Sequence, residues 1–267
     1  MKNLKPRLLS ATIFGAVVIS SIYFSPISFA LVFGCFLVIG IREFHQLFGI
    51  KRFHLNSLLA IILGLSFFIF SYLTATQEIG ESFLLITPIL STTLFLPWLF
   101  HKTKGESISP LITITSIYYV AIPFSLLFFI GFDEFGTYQP LNILFLLFLV
   151  WANDSFAYFT GSLIGKNKLY PSVSPGKTWE GFFGGFLAAL IIGYILGVYL
   201  NDPKKWLVFA AIMSVFGTLG DLVESKMKRM NNVKDSGNLM PGHGGVLDRF
   251  DALIFALPFV FVVDLLF

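Results

Sequence analysis

Nine mostly apolar stretches, each near the length that crosses a bilayer, follow one another along the chain. They cover about 8–24, 26–41, 56–75, 83–100, 111–131, 141–158, 182–200, 205–222 and 252–267. A helix needs about 20 such residues to span the hydrocarbon core. Inside lipid, backbone polar groups must be satisfied within the segment itself, so runs of this length form helices. The pattern therefore predicts an all-α, polytopic integral membrane protein with about nine transmembrane helices. Composition excludes the alternatives. Only 12% of residues are charged and 56% are hydrophobic, against roughly 25% charged in soluble chains. Neither an ordinary soluble domain nor a disordered chain is built this way. Lys2, Lys5 and Arg7 before the first stretch, with Ser28-Phe29-Ala30 after it, resemble a signal peptide. The many spans that follow make it a retained first helix. Cys35 is the sole cysteine and sits in an apolar run. An internal disulfide and a multi-cysteine metal site are excluded.

Charge placement predicts orientation. With the N-terminus in the cytoplasm and nine alternating spans, the inner segments hold Lys2, Lys5, Arg7, Arg42, Lys51, Arg52, Lys102, Lys104, Lys166, Lys168, Lys177, Lys226, Lys228, Arg229, Lys234 and Arg249. Only Lys204 and Lys205 fall outside, as the positive-inside rule favours. The outer loops carry Glu78, Glu81, Asp133, Glu134 and Asp202. Residues 1–140 read as a hydrophobic scaffold. Residues 141–267 read as a catalytic membrane region with two long, polar, glycine-rich cytoplasmic loops, 159–181 and 223–251.

Three segments of that second region carry chemistry. Asp154 follows an apolar run without a break and shares a helix face with Tyr158. A charged residue there costs about 2.5–3.5 kcal/mol on insertion scales and usually marks a site. In Pro171–Gly181, Gly176-Lys177-Thr178 resembles part of a phosphate loop, but Pro171 stands where the Walker pattern wants glycine and no strand is expected before it. A P-loop fold is excluded. Ser174, Lys177 and Thr178 remain phosphate-binding residue types before a helix start near Phe182, where anions are favoured. Glu180 suits the first turn of that helix.

The third segment, 217–251, is the densest. If the helix at 205–222 continues, Asp221, Ser225 and Arg229 share a face, and Glu224 with Lys228 forms a favoured i,i+4 ion pair. A purely structural role for that pair competes with a functional one. Beyond it, glycines such as Gly244 and Gly245 let backbone N–H groups approach an oxyanion. Lys234, His243 and Arg249 supply donors. Asp235, Asp248 and Asp251 supply hard oxygen ligands suited to Mg²⁺. Acids beside bases on a glycine-rich backbone point to a metal–polyphosphate site. His243 lacks partners at zinc-ligand spacing.

Ser225-Lys226-Met227-Lys228-Arg229, Lys234-Asp235-Ser236-Gly237 and Pro241-Gly242-His243-Gly244-Gly245-Val246-Leu247-Asp248-Arg249-Phe250-Asp251 together resemble the signature of the phosphatidate cytidylyltransferases. Met240, where that family usually has Leu, Ile or Phe, is a conservative departure. Asp154 with Ala157-Tyr158, Gly161, Gly165-Lys166, Ser174 to Gly181 and Asp221 are similar to the family as well. The resemblance covers about 151–251 by motif. It implies a reaction of CTP with phosphatidate giving CDP-diacylglycerol and pyrophosphate, one or two cations with Mg²⁺ the first, a homodimer, and residence in a bacterial-type inner membrane with the site facing the cytoplasm. Membrane lipid is then a partner and nucleic acid is not. Roles follow residue by residue: Asp221 and Asp248 as metal ligands, Asp154 and Asp251 as further candidates. Lys228, Arg229, Lys234, His243 and Arg249 are expected at phosphates. Ser174, Lys177, Thr178, Ser225, Gly244 and Gly245 are expected at substrate. Phosphatidate is already ionised at neutral pH, so no strong general base is required. Two other readings compete: a CTP-dependent polyprenol or phytol kinase, and a cation-coupled transporter. The latter predicts broken helices at the midplane and repeat symmetry, whereas the polar residues here gather at one membrane face.

Overall fold

A computed structural model describes residues 4–50, 55–80, 109–237 and 244–267. The apolar window 83–100 and His243 lie outside the described residues. Every other window coincides with a helix: α1 Leu4–Phe24, α2 Pro26–Leu47, α3 Leu55–Ala75, α4 Ser109–Ser116 running through a π-helical turn at Ile117–Ala121 into α5 Ile122–Gly131, α6 Pro140–Ile164, α7 Trp179–Tyr199, α8 Pro203–Met230 and α9 Leu247–Asp264. Among the described residues, six segments are long and apolar enough to cross a membrane: Pro26–Leu47, Leu55–Ala75, Pro110–Gly131, Pro140–Ile164, Trp179–Tyr199 and Pro203–Met230. The helix α9 is 18 residues long and carries Asp248, Arg249, Asp251 and Asp264.

The chain forms two compact units. One comprises Met1–Pro140 with Asp235–Arg249, and the other Leu141–Lys234 with Phe250–Phe267.

In the first unit, Ser25 separates α1 from α2. Its hydroxyl accepts from the Ser28 N–H at 3.0 Å, and Pro26 occupies the first helical position. Such a cap restarts the helix after one residue. Phenylalanines fill the core. Phe29 meets Phe128 with ring centroids 5.3 Å apart, Phe68 meets Phe128 at 4.6 Å, and Phe33 meets Phe124 at 5.8 Å. The π turn precedes Pro123, which has no N–H to return to the preceding turn. The ladder widens there, with the Ile122 N–H bonded to the Ile117 carbonyl.

In the second unit, α7 buries only Gly181, Gly185, Ala189, Gly193 and Gly197, spaced four apart along one face. Small residues in such a row let helix backbones approach closely. A Cβ on Gly185 would lie 2.6 Å from the Asn153 carbonyl of α6, and one on Gly193 would lie 2.8 Å from the Trp206 carbonyl of α8. The other faces of α7 present exposed Leu187, Ile191 and Ile195. A tight corner joins α7 to α8. Asn201 adopts φ 61°, and the Asp202 N–H bonds the Gly197 carbonyl at 2.8 Å. Asp202 then caps α8 through the Lys205 N–H, with Pro203 in the first turn. The α8 helix continues to Met230 and ends in the same way. Asn232 has φ 55°, and the Val233 N–H reaches the Lys228 carbonyl at 3.0 Å.

Two details differ from the sequence expectation. The loop expected at 159–181 begins only after Ile164, because α6 runs further. It also folds into an antiparallel hairpin, β1 Lys168–Tyr170 and β2 Ser174–Thr178, where no strand was expected. Glu180 anchors it, accepting the Asn167 Nδ2 at 2.8 Å and the Asn167 backbone N–H at 3.1 Å.

Candidate active site

Three helices and the hairpin of the second unit enclose a cavity of about 520 Å³. From α6 come Asn153, Asp154 and Tyr158. Ser174 and Lys177 come from β2, and Thr178 ends that strand. Thr218 and Asp221 come from α8. Their positions have local causes. Thr178 is the N-cap of α7, its hydroxyl accepting from the Gly181 N–H at 3.1 Å. The helix thus starts at Trp179, three residues before Phe182. Gly161, Gly165 and Gly181 leave room for that hydroxyl. A Cβ at any of them would lie within 3.0 Å of it. Asn153 is buried, accepts from Ser214 Oγ at 2.6 Å, and donates toward Asp154 at 3.4 Å. It ties the start of the polar face of α6 to α8.

The Lys177 ammonium lies 2.6 Å from Asp221 Oδ2, both side chains about one-third exposed or less. Ser225 Oγ donates to Asp221 Oδ1 at 3.2 Å. Asp251, half-buried on α9, feels the negative charge of Asp221, Glu224 and Asp154. The second unit therefore brings Asp154, Ser174, Lys177, Thr178 and Asp221 around one cavity, with Ser225 hydrogen-bonded to Asp221. Lys228 is placed otherwise. Its ammonium pairs with fully buried Glu224 one turn earlier. Arg229 is exposed and donates to the Val233 carbonyl at 3.2 Å.

The first unit holds the end of the signature segment. Asp248 Oδ2 accepts from the Ser236 N–H at 2.9 Å, the Ser236 hydroxyl at 2.8 Å and the Gly245 N–H at 2.7 Å. Three donors on one oxygen fix the carboxylate plane. Gly244 has φ +81° and lies against the same carboxylate, so a side chain would be both strained and obstructed. Of the two glycines expected at a substrate oxyanion, Gly245 has its N–H engaged internally by Asp248. The next two N–H groups, of Val246 and Leu247, donate to Glu43 of α2 at 3.0 and 2.9 Å. Lys234, Asp235 and Arg249 are exposed.

Sequence reasoning passed over Glu43 and Asn153. Glu43 had a usable signal: a carboxylate separated from a long apolar run by Arg42 alone carries an insertion cost of the kind that singled out Asp154. Among the described residues, no group of three or more His, Cys, Asp or Glu side chains is arranged to hold a metal ion. The donor chemistry is nonetheless that of a hard cation. The acids around Asp251 offer oxygen only, and Asp221 already holds a cationic ammonium.

A helical fold with membrane-length apolar helices, and a cavity lined by two acids and a lysine, defines a class: membrane-type helical proteins with a charged site among their helices. The comparisons narrow it. Residues 5–267 match the cytidylyltransferase family. The chain is 36% identical to a phosphatidate cytidylyltransferase of Haemophilus influenzae, covering 96% of each chain. It is 33% identical to one of Bacillus subtilis over the full length of both. A Staphylococcus saprophyticus relative of the same name is 44% identical across 59% of this chain and 60% of its own. This chain belongs to the cytidylyltransferase family.

Proposed function

We propose that this chain transfers the cytidylyl group of CTP to phosphatidate, forming CDP-diacylglycerol and pyrophosphate for phospholipid synthesis. An oxygen of the phosphatidate phosphate attacks the α-phosphorus of CTP. The bond from that phosphorus to the bridging oxygen breaks, and pyrophosphate leaves with the electron pair. The nucleophile is already anionic, so the difficulty is charge repulsion between substrates. Catalysis of this kind rests on positioning and electrostatic stabilisation.

The observation that carries the reading is the Lys177–Asp221 pair at 2.6 Å in the cavity, which supports a hydrogen-bond donor for phosphate and an oxygen ligand for a cation side by side. Lys177, with Ser174 and Thr178 near the N-terminus of α7, binds a substrate phosphate. Arg229, Lys234 and Arg249 are exposed cations for the remaining phosphate charge, with His243 beside them in sequence. Ser225 orients Asp221. Gly244 and Gly245 shape the loop at Asp248. We read Lys228 as a structural cation for Glu224. In the second unit Asp221, with Asp154 and Asp251, and in the first unit Asp248, are the residues proposed as ligands for Mg²⁺ and any second cation. Such an ion, when bound, supplies Lewis-acid polarisation of the phosphoryl group.

The wider setting is also proposed: nine crossings, a cytoplasmic N-terminus, a site facing the cytoplasm of a bacterial inner membrane, and a homodimer. The distribution of basic residues supports the orientation.

The test uses purified protein in phosphatidate-containing micelles and CTP labelled at either the α- or the γ-phosphorus. Label from the α position in lipid, with release of pyrophosphate, is expected. Lipid labelled only from the γ position would replace this reaction with a kinase. Asp248→Asn should lose most turnover at saturating Mg²⁺. Near wild-type turnover removes the metal-ligand assignment.

A further inference from the structure

Glu43 sits on α2 at the end of an apolar run, only 5% exposed, and both its oxygens are engaged. Oε1 accepts the Val246 N–H at 3.0 Å. Oε2 accepts the Leu247 N–H at 2.9 Å and lies 3.4 Å from the Ser236 hydroxyl. These donors stand some 200 residues later in the chain, at the start of α9 and in the loop before it.

A helix start normally finds its acceptor locally, from a Ser, Thr, Asp or Asn at its own N-cap. Here a carboxylate from a separate helix serves instead. Burying it carries a desolvation cost that these hydrogen bonds offset. The backbone is shaped around it: a Cβ on Gly245 or on Gly237 would each lie 2.3 Å from Oε1. Gly40, one turn before Glu43, also faces this corner, since its Cβ would lie 3.5 Å from Leu247.

The link reaches the proposed chemistry through Ser236. Its hydroxyl lies between Glu43 at 3.4 Å and Asp248 at 2.8 Å, and its N–H also bonds Asp248. Two acids thus share one serine. Glu43 fixes both borders of the loop, Ser236–Gly237 on one side and Gly245–Leu247 on the other. Asp248 directly follows the pinned residues.

We infer that Glu43 is a positioning residue for cytidylyl transfer, holding Ser236–Gly237 and Gly245–Leu247 against α2 so that Asp248 and Arg249 are presented in one fixed arrangement. It touches no substrate in this role. The inference rests on the reaction proposed above. The substitution Glu43→Gln keeps the size and one acceptor but turns an amide N–H₂ toward a backbone donor. Glu43→Asp keeps the charge on a shorter reach.

The experiment compares wild type, Glu43→Gln and Glu43→Asp by hydrogen–deuterium exchange and by steady-state kinetics. In Glu43→Gln, the amides of 244–248 should exchange faster while α3 and α6 keep wild-type protection. The kcat should fall about 10- to 100-fold, the effect of a misplaced group, with KM for phosphatidate unchanged and half-saturating Mg²⁺ raised. Glu43→Asp should recover part of both the protection and the kcat. Wild-type kcat and Mg²⁺ dependence in Glu43→Gln overturns the inference. So does loss of protection throughout the first unit, which makes Glu43 a residue of the fold alone. A wild-type protein that forms no CDP-diacylglycerol overturns the reaction itself, an outcome distinct from active wild type beside an unaltered variant.

Discussion

Two lysine–carboxylate pairs in the second unit have the same chemistry and differ in environment. Lys177 and Asp221 are each about one-third exposed or less and line the cavity. Lys228 and Glu224 are buried, Glu224 completely. Removing one member of a buried pair leaves a charge in a poor medium and costs about 3–5 kcal/mol, while an exposed pair contributes about 0–1 kcal/mol. Lys228→Met should therefore lower the thermal midpoint in detergent sharply. Lys177→Met should leave that midpoint nearly unchanged and reduce turnover at least about tenfold, the loss of a charged contact at a transferring phosphate. Thermal unfolding and CTP-dependent product formation, measured on both variants, check the contrast. Equal thermal losses would place both pairs in the fold. The sequence favoured an i,i+4 pair at Glu224–Lys228, since one helix carries both. It offered no rule for joining Lys177 to Asp221 or Glu43 to Val246, because those meetings depend on helix packing that one-dimensional spacing does not encode.

At the level of elements, the apolar windows were the readable part. Asn201-Asp202-Pro203 spells one helix end and the next helix start, and both caps form. The hairpin at 168–178 escaped notice because Ser174-Pro175-Gly176 carries no strand signal. It stands through pairing and through Glu180 on Asn167. The row Gly181, Gly185, Ala189, Gly193, Gly197 was visible as composition, but its meaning appears only with α6 and α8 against it. Gly193→Leu puts a side chain where 2.6 Å separates a Cβ from that of Ala210. Overpacking costs about 1–3 kcal/mol or more, so the variant should unfold at lower temperature. Leu187→Ala, on an exposed face, should not. Between α5 and α6, Asp133 accepts the N–H groups of Thr137 at 2.8 Å and Phe135 at 3.0 Å. The Thr137 bond foremost, then Gln139 and Phe135, holds its carboxyl below the ordinary range. That contribution is fully present above the ordinary carboxylate pKa of about 4 and is lost as pH falls through the lowered value. Chymotrypsin at pH 7 should therefore cut after exposed Phe135 faster in Asp133→Ala than in wild type.

For the whole molecule, the exceptions to the charge rule are the informative residues for sidedness. Lys204 and Lys205 are the two basic residues assigned to the outer face. Lys205 Nζ lies 2.6 Å from Asp264, at the end of α9. The pair leaves the count of the positive-inside rule unchanged, since acids contribute little to it. It also puts the start of α8 and the end of α9 at one level, as two antiparallel neighbours require. If 205–222 runs inward from the outer face, α9 returns to that face and Asp264 lies outside with Lys205. A direct test replaces Cys35 with Ser and introduces one cysteine at Lys204 or at Lys166, both exposed. A membrane-impermeant maleimide applied to spheroplasts should label Lys204→Cys at once and Lys166→Cys only after permeabilisation. The reverse order would turn the molecule over and put the cavity on the side where CTP is absent. The orientation and the reaction would then be incompatible, so this labelling experiment constrains the proposed chemistry as well as the topology.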